Sequence, residues 1–384
     1  MATITYLTQI EFGSGSLARV ASCLDTLGGR RPLIVTDRGI VAAGLLDRLQ
    51  AELPAGLPVF DGTPGNPTEE AAQEAAALYR REGCDSLIAM GGGSPIDLAK
   101  AVGLLVTHKG ALASYAAIDG GADLGIAEVD AGGVARIGEI VPVIAIPTTA
   151  GTGSEVGRAA LLTLQDGRKV GLISPHLIPK LAICDPDLTH GLPAGLTAAT
   201  GIDAISHCVE TFLSPRDNPV ADAIALDGLQ RAVTHIERAV LTPQDAEARS
   251  AMMMASLQGG LCFQKGLGAI HALSHPLGAY KQINPHHGTL NGILLAPVLR
   301  RNAAACEAKY AAISARLGIA DGDVPAFFAA LVARLNLPKT LGEVGFDGSQ
   351  WQDVVQAALK DHSAATNPVP FDGADYLAIL EDAA

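Results

Sequence analysis

Aromatic side chains and charges are both scarce in this chain of 384 residues. Phe, Trp and Tyr make up 4% of the sequence and charged residues 17%. The core volume must therefore come from Ala, Val, Ile and Leu, and 43 glycines indicate many tight turns. Because 48% of the residues are hydrophobic, the composition argues against an intrinsically disordered chain. The length favours two domains.

The sequence also lacks paired cysteines, a signal sequence and a membrane-spanning run. Its six cysteines are scattered and contain no C-x-x-C pair. The first residues lack a basic segment followed by an apolar core, and the longest apolar stretch, residues 140–146, is far too short to cross a bilayer. We therefore expect reduced thiols and a cytoplasmic protein.

Positive charge is in deficit, since 27 Lys and Arg residues oppose 40 Asp and Glu residues and give a net charge of −13. The chain contains no Lys/Arg-rich run that would offset this locally. A nucleic-acid partner or an anionic membrane surface is therefore disfavoured, and we expect a small-molecule partner.

Residues 32–190 alternate between β-branched runs and helical patterns. Strands are predicted at 32–36, 57–60, 86–90 and 141–146, helices at 40–53 and from the Thr68 cap to 81, a hairpin at 158–174 and a glycine-rich surface excursion at 119–138. This rhythm predicts an α/β, Rossmann-like domain over 1–190, with a parallel sheet covered by helices on both faces. From residue 196 onward the pattern is helical, which predicts an all-α domain over 191–384.

Two polar loops follow strands of the predicted sheet. In residues 91–97, GGGSPID, Ser94 suits the N-cap of a helix, Pro95 its first position and Asp97 its third, and such a helix start can bind phosphate. A tight strand-to-helix turn is the alternative. Residues 147–155, PTTAGTGSE, carry hydroxyl and amide donors that suit a ribose or nicotinamide, or an ordinary polar turn. Asp37, after the first strand, predicts NAD rather than NADP if it binds the ribose hydroxyls, and capping of the next helix is the other possibility.

Six of the ten histidines lie within residues 207–287 of the helical half, and five of them form candidate groups with Asp203. The candidate groups are two pairs with four-residue spacing and one adjacent pair: Asp203 with His207, His271 with His275, and His286 with His287. Four-residue spacing places both members of a pair on one helix face. Carboxylate and imidazole ligands without sulfur suit a catalytic Fe(II), Zn(II), Mn(II) or Co(II) site. The spacing leaves open which four of the six groups bind the ion.

These motifs together resemble the iron-containing alcohol dehydrogenases. The resemblance covers almost the whole chain through FGSG (12–15), PGNPT (64–68), GGGSPIDLAK (91–100), PTTAGTGSEV (147–156), GIDAISHCVE (201–210), HALSHPLG (271–278) and TNP (366–368). It implies an enzyme that uses NAD and Fe(II), with Zn(II) or another divalent metal as the alternative, and that forms a homodimer or larger homo-oligomer.

The resemblance also assigns residues to roles. It implies four metal ligands, Asp203, His207, His271 and His287, with His286 as the alternative for the last because this chain has two histidines where the family has one. It places His275 beside the substrate, where it suits a proton relay or, alternatively, a hydrogen bond that orients a ligand. The implied cofactor positions are Asp37, Asn66, Gly92, Gly93, Ser94, Thr148, Thr149, Thr152 and Lys169. Gly157 replaces a threonine that contacts the cofactor in many members.

Within the family the chain resembles the 4-hydroxybutyrate dehydrogenase branch, through SEVGR (154–158), FQKG (263–266) and HHGTLN (286–291). This implies interconversion of a small primary alcohol and its aldehyde, here 4-hydroxybutyrate and succinate semialdehyde. A substrate carboxylate needs a cation, and Lys265 and Arg158 are nearest by motif position, with His362 as a further pocket residue. Lys265 could instead pair with an acid such as Glu210. The alternatives are another small alcohol or aldehyde, including one with a phosphonate or sulfonate, and a metal-dependent hydrolase or lyase.

Overall fold

The computed structural model describes residues 6, 8–116, 136–280 and 282–384. A parallel sheet of six strands, in the order β1-β8-β5-β4-β2-β3, forms the centre of the N-terminal half, and a separate antiparallel hairpin joins β6 to β7. The strands are β1 (Gln9–Phe12), β2 (Pro32–Val35), β3 (Val59–Phe60), β4 (Ser86–Gly91), β5 (Val143–Pro147), β6 (Ala159–Thr163), β7 (Lys169–Ile173) and β8 (Leu181–Cys184). In the described residues after β8 every regular element is helical, so the predicted α/β half followed by a helical half is confirmed.

Among the described residues, five α-helices accompany the sheet and nine follow it. The first five are α1 (Val20–Thr26), α2 (Arg38–Ala42), α3 (Leu45–Ala51), α4 (Glu69–Arg81) and α5 (Gly93–Thr107). The later ones are α6 (Ala194–Leu213), α7 (Pro219–Leu241), α8 (Ala246–Cys262), α9 (Ala269–Leu277), α10 (His287–Asn302), α11 (Glu307–Leu317), α12 (Val324–Arg334), α13 (Trp351–Ala358) and α14 (Gly373–Asp382). None of the helices in the described part of the chain is long and apolar enough to cross a bilayer.

The central strands are hydrophobic at every position because both faces of the sheet are covered. β2, β4 and β5 are buried along their whole length. Side chains of a strand alternate between faces, and Leu33 and Leu87 accordingly pack in one cluster with α4 and α5, whereas Ile34 and Ile88 pack in another with α1 and α3. The carboxyl ends of the strands are thereby fixed along one edge, where the polar loops begin.

Several local predictions are confirmed and one helix is corrected. Thr68 caps α4 by accepting a hydrogen bond from the backbone N–H of Ala71, and the hairpin at 158–174 is present as β6 and β7. The single helix predicted over 40–53 is wrong: α2 and α3 are separated at Gly44, whose φ of 70° is a left-handed conformation that interrupts the helix. The glycine-rich stretch 119–138 lies mostly outside the described residues.

The predicted capping of α5 is also wrong. Gly92 is the N-cap and the helix begins at Gly93, so Ser94 and Asp97 lie two positions further into the helix than expected. Ser94 Oγ instead donates to the carbonyl of Gly65 (2.6 Å), and the Asp97 carboxylate accepts from Ser154 Oγ (2.5 Å) and the N–H of Leu161 (3.0 Å). Both side chains therefore connect α5 to other loops instead of closing its own first turn.

Lys100 anchors the loop that follows β5. This side chain is fully buried on α5, and its ammonium donates to the carbonyls of Ser154 (2.8 Å), Gly157 (3.0 Å) and Ala159 (2.7 Å). Asp97 lies 3.6 Å from the same nitrogen and balances its charge. Burial lowers the pKa of Lys100, and the neighbouring carboxylates oppose that shift. The loop at 148–158 is therefore fixed against the sheet half.

The same loop meets the helical half where two glycines touch. A Cβ on Gly260 of α8 would lie 2.5 Å from the carbonyl oxygen of Gly153, and a Cβ on Gly153 would lie 2.5 Å from Cα of Gly260. Backbone cannot yield at such distances without moving the loop, so both positions require glycine. This contact fixes the loop relative to the helices.

We expect Gly260→Ala to destabilise the protein, because the added methyl group pushes α8 away from the loop at Gly153. Overpacking of this kind costs about 1–3 kcal/mol. Urea unfolding followed by circular dichroism measures the effect. Gly195→Ala in α6 is the matched control, since its Cβ meets no atom within 4 Å. Equal unfolding midpoints for the two variants would contradict the close approach.

Candidate metal and nucleotide site

Three helices bring one carboxylate and three imidazoles together. Asp203 and His207 lie one turn apart on α6, His271 lies on α9, and His287 is the first residue of α10. From Asp203 Oδ1, the Nε2 atoms of His207, His271 and His287 lie at 3.4, 3.7 and 3.7 Å. Ligand atoms about 2.1 Å from a tetrahedral ion are about 3.4 Å apart. The donor set and its spacing therefore fit a divalent ion.

Hydrogen bonds fix two of the imidazoles in the orientation that metal binding needs. His207 Nδ1 lies 3.2 Å from the carbonyl of Gly151, and His271 Nδ1 lies 2.5 Å from Glu210 Oε2. A proton on each Nδ1 leaves Nε2 as the atom with a free lone pair, directed toward Asp203. The Gly151 contact also links a ligand of the helical half to the loop of the sheet half.

Burial gives this cluster strong electrostatic coupling. Asp203 is 3% exposed; burial opposes its ionisation, but the three imidazoles lower its pKa well below the usual range. Burial also lowers the pKa of His207 to about 4. Burial also acts to lower the pKa of His271, but the carboxylates of Glu210 and Asp203 outweigh this effect and raise the pKa to about 9. His207 is therefore neutral at neutral pH, whereas the carboxylates of Glu210 and Asp203 favour a positive charge on His271.

The fourth position distinguishes the two adjacent histidines. His287 directs Nε2 toward Asp203 at 3.7 Å, whereas His286 is the N-cap residue of α10 with extended backbone. The side chain of His287 is 30% exposed, more than the other three, so it lies on the open side of the cluster. This geometry favours His287 over His286 as the fourth ligand.

The two polar loops lie side by side because β4 and β5 are neighbouring strands. A Cβ on Gly92 would lie 3.4 Å from Thr149 Oγ1, and one on Gly93 would lie 2.9 Å from Thr152 Cγ2. Thr148 N–H donates to the carbonyl of Gly91 (2.9 Å), which joins the loops at their bases. The predicted phosphate and nicotinamide loops thus form one surface.

The remaining cofactor candidates border this surface. Lys169 Nζ lies 3.4 Å from Asn66 Oδ1, which brings two of them together. Asp37 caps α2 by accepting from the N–H of Ile40 (3.0 Å), as the alternative interpretation predicted. Burial lowers the pKa of Lys169, and the negative charges of Asp97 on α5 and of Asp361 oppose that shift. Lys169 therefore lies between the nucleotide loops and the histidine cluster.

A second row of side chains extends outward from the cluster. The ring of His275 stacks on His287 with centroids 5.7 Å apart, and the ring of His362 stacks on His275 at the same spacing. His275 Nδ1 lies 2.8 Å from Asp361 Oδ2. Burial lowers the pKa of His362, and the positive charge of Arg158 acts in the same direction. Three predicted pocket residues, His275, His362 and Arg158, are thereby brought together.

The proline after His275 does not interrupt α9: the helix runs through Leu277, because the amide lost to Pro276 lies in its last turn. Lys265 pairs with an acid, as the alternative interpretation predicted, but the acid is Asp222 and not Glu210: its fully buried ammonium binds Asp222, and the carbonyl of Phe212 lies 3.4 Å away. The Glu210 carboxylate instead accepts hydrogen bonds from His271 Nδ1 and from the N–H of Ile270.

Sequence reasoning missed three residues of the site. Glu210 and Asp361 bind the Nδ1 atoms of His271 and His275, and the Asn291 amide lies 2.7 Å from Asp203 Oδ1 and 3.2 Å from His287 Nε2. Helical spacing offered a signal for two of them, since Glu210 follows His207 by three residues and Asn291 follows His287 by four. Asp361 joins His275 across 86 residues, which no local pattern reveals.

The chain matches two family models that together span nearly its full length. The first is described as iron-containing alcohol dehydrogenase and matches residues 8–186, and the second, the C-terminal part of the same family, matches residues 197–384. The chain is 49% identical to a 4-hydroxybutyrate dehydrogenase of Cupriavidus necator, with 99% of each chain covered.

Solved structures agree with this likeness. The structure of a 1,3-propanediol oxidoreductase superposes with a TM-score of 0.91 at 33% identity, covering 100% of both chains. A sulfoacetaldehyde reductase from Bifidobacterium kashiwanohense in complex with NAD+ superposes with a TM-score of 0.88 at 27% identity, covering 100% of this chain and 98% of the other.

We expect His287→Ala to weaken divalent-metal binding by more than about 100-fold, since losing even an outer partner of a ligand costs 10–100-fold. His286→Ala is the matched control and should bind metal within a few-fold of the unmodified protein. Competition with a chelator, using Co(II) or Zn(II), measures both affinities. A larger loss in the His286 variant would reverse the assignment.

Proposed function

Because the chain belongs to the iron-containing alcohol dehydrogenase family, we propose that it interconverts 4-hydroxybutyrate and succinate semialdehyde. NAD is the proposed hydride carrier, and Asp203, His207, His271 and His287 are the proposed ligands of a divalent ion, with iron favoured. The predicted family, fold class and enzyme class are confirmed, and they argue against a hydrolase or lyase. The predicted NAD and iron are confirmed as cofactors of the family.

One observation carries the proposal. His207 binds the carbonyl of Gly151, so a proposed metal ligand is hydrogen-bonded to the loop that follows β5. Lys169 approaches Asn66, and its positive charge also helps to lower the pKa of His287. A nicotinamide on the paired loops would therefore lie beside the metal ligands. A hydrolase would have no use for this adjacency, whereas a dehydrogenase that uses both a divalent ion and a nicotinamide would require it.

Different residues of the chain are proposed to serve different steps of the reaction. When bound, the divalent ion polarises the aldehyde oxygen and NADH supplies the hydride to the aldehyde carbon. We propose that His275 relays the accompanying proton: Asp361 holds Nδ1, which leaves Nε2 to exchange a proton with the alcohol oxygen. His362, stacked on the outer side of His275, continues this row toward Arg158.

Arg158 is the proposed partner of the substrate carboxylate. The positive charge of its guanidinium acts on His362 and lowers the pKa of that ring, so this charge lies within electrostatic reach of the histidine row. Lys265 was the other candidate, but its ammonium is buried against Asp222 and capped by the carbonyl of Phe212. A planar guanidinium also binds a carboxylate through two hydrogen bonds, which an ammonium cannot do. The proposal therefore assigns the carboxylate to Arg158, with His362 as a further pocket residue.

The remaining assignments are proposals of the same kind. Residues 1–190 form the proposed dinucleotide-binding domain and 191–384 the metal-binding domain. Asp37, Asn66, Gly92, Gly93, Ser94, Thr148, Thr149, Thr152 and Lys169 are the proposed cofactor contacts. Gly157 offers no side chain to the cofactor. The homo-oligomer and the cytoplasmic location stay predictions.

A sulfonate- or phosphonate-bearing aldehyde is the second candidate substrate. The similar chain solved with NAD+ is a sulfoacetaldehyde reductase, and a guanidinium binds a sulfonate as well as a carboxylate. Substrate length separates the candidates, because sulfoacetaldehyde is shorter than succinate semialdehyde.

The proposed activity is tested with protein stripped of metal and reloaded with Fe(II) or Zn(II). We expect NADH oxidation, followed by its absorbance, to be fastest with succinate semialdehyde among that compound, butyraldehyde, propionaldehyde and sulfoacetaldehyde. NADPH should be at least about tenfold poorer as a donor, because Asp37 repels a 2′-phosphate. A preference for an uncharged aldehyde would refute the substrate assignment. If NADH were oxidised with none of the aldehydes, the proposed nicotinamide-dependent activity itself would be refuted.

We expect Arg158→Met to raise KM for succinate semialdehyde by tenfold or more, because the substrate carboxylate loses its charged partner. KM for butyraldehyde, which has no carboxylate, should change little. Steady-state kinetics with both substrates provide the comparison, and Lys265→Met serves as the matched lysine control. If Lys265→Met raises KM for succinate semialdehyde and Arg158→Met does not, Lys265 binds the carboxylate.

A further inference from the structure

We propose that Glu210 is a positioning residue of the metal centre, acting through His271. Its carboxylate holds the imidazole with Nε2 directed at the ion and strengthens that nitrogen as a ligand. This inference rests on the proposed metal centre, although it does not depend on the identity of the substrate.

The position of Glu210 follows from the period of α6. Asp203, His207 and Glu210 are separated by four and three residues, so all three lie along one face of the helix. Asp203 and His207 meet His271 at the cluster, and Glu210 meets the opposite nitrogen of the same ring. Glu210 Oε2 lies 2.5 Å from His271 Nδ1, and Glu210 is 4% exposed. Residues on one face of α6 therefore approach both ring nitrogens of His271, Asp203 on the Nε2 side and Glu210 at Nδ1.

The charge of Glu210 has one ion-pair partner among the described residues, and that partner is His271. Its other oxygen accepts from the N–H of Ile270 at 2.6 Å. Burying a carboxylate without a Lys or Arg partner lowers the stability of the fold unless another group interacts with its charge. Through the Nδ1–H bond the charge makes His271 a more basic ligand, and the carboxylate–imidazole–metal arrangement is a recurrent means of tuning metal affinity.

Capping of α9 is the competing explanation. The N-cap residue Gly268 has no side chain, and two distant side chains accept from the first N–H groups: Asn367 Oδ1 from Ala269 (3.2 Å) and Glu210 Oε1 from Ile270. A role confined to capping predicts that Asn367 and Glu210 are equivalent. The bond to His271 Nδ1 belongs to Glu210 alone of these two, so metal affinity separates the explanations.

Asp361 offers a second matched comparison. Its carboxylate holds His275 Nδ1 at 2.8 Å, which reproduces the carboxylate–imidazole pair on a histidine outside the proposed ligand set. A general loss of negative charge near the centre would weaken metal binding in Asp361→Asn as well as in Glu210→Gln. An effect through the ligand His271 would appear in Glu210→Gln only.

The experiment measures Zn(II) and Co(II) affinity of full-length protein by competition with a chelator, together with the absorption spectrum of the Co(II) form. We expect Glu210→Gln to bind each metal about 10–100-fold more weakly than the unmodified protein and to shift the Co(II) bands. Asn367→Ala and Asp361→Asn should stay within a few-fold, although Asn367→Ala lowers the unfolding midpoint of the metal-free protein. Glu210→Asp keeps the charge and should bind metal more tightly than Glu210→Gln.

Three results would overturn the inference. They are a Glu210→Gln affinity within a few-fold of the unmodified protein, an equal loss in Asn367→Ala, and weaker binding by Glu210→Asp than by Glu210→Gln. If Glu210→Gln does not fold, the Glu210→Asp and Asn367→Ala affinities decide, and a larger loss in Asn367→Ala refutes the role. Failure of the unmodified protein to bind one metal ion per site would instead refute the metal centre itself.

Discussion

The buried carboxylate of Asp203 is the constraint around which the helical half is arranged. An ionised carboxylate that is 3% exposed needs compensation, and three imidazole nitrogens within 3.4–3.7 Å of one of its oxygens supply only part of it. His207 cannot carry a proton easily, since burial lowers its pKa to about 4. A divalent ion that replaces the proton favoured on His271 would satisfy the carboxylate and all three imidazoles at once, which would explain why four polar side chains from three helices share a buried site.

The halves of the molecule are joined by the loop at 148–158. On one side Lys100 and Asp97 fix this loop to α5, and on the other Gly153 touches Gly260 and Gly151 accepts from His207. A displacement of the loop would move the proposed nucleotide surface and the proposed metal ligand His207 together. The geometry of hydride transfer thus depends on one segment that both halves hold.

Local patterns were enough to predict the parts of the site that depend on short spacing. The Asp203–His207 pair, the cap at Thr68 and the hairpin around Gly167 each depend on contacts within a few residues. The N-terminus of α5 was predicted wrongly because Ser94 and Asp97 have better partners far along the chain, at Gly65 and Ser154. Lys265 was assigned to the substrate because its partner Asp222 lies 43 residues away on α7. Pairings of this length depend on helix packing, which periodicity alone does not describe.

Charge explains how an acidic protein could take the proposed anionic substrate. A net charge of −13 repels a carboxylate at long range, so a local excess of positive charge must reverse the potential inside the site. Two of the described residues contribute to it: Lys169 approaches Asn66 and acts on His287, and Arg158 acts on His362. If Glu210 contributes its charge through His271, a divalent ion with two carboxylates becomes formally neutral. Binding of the substrate anion would then depend on the outer cations rather than on the ion, which leaves the ion to act on the carbonyl oxygen alone.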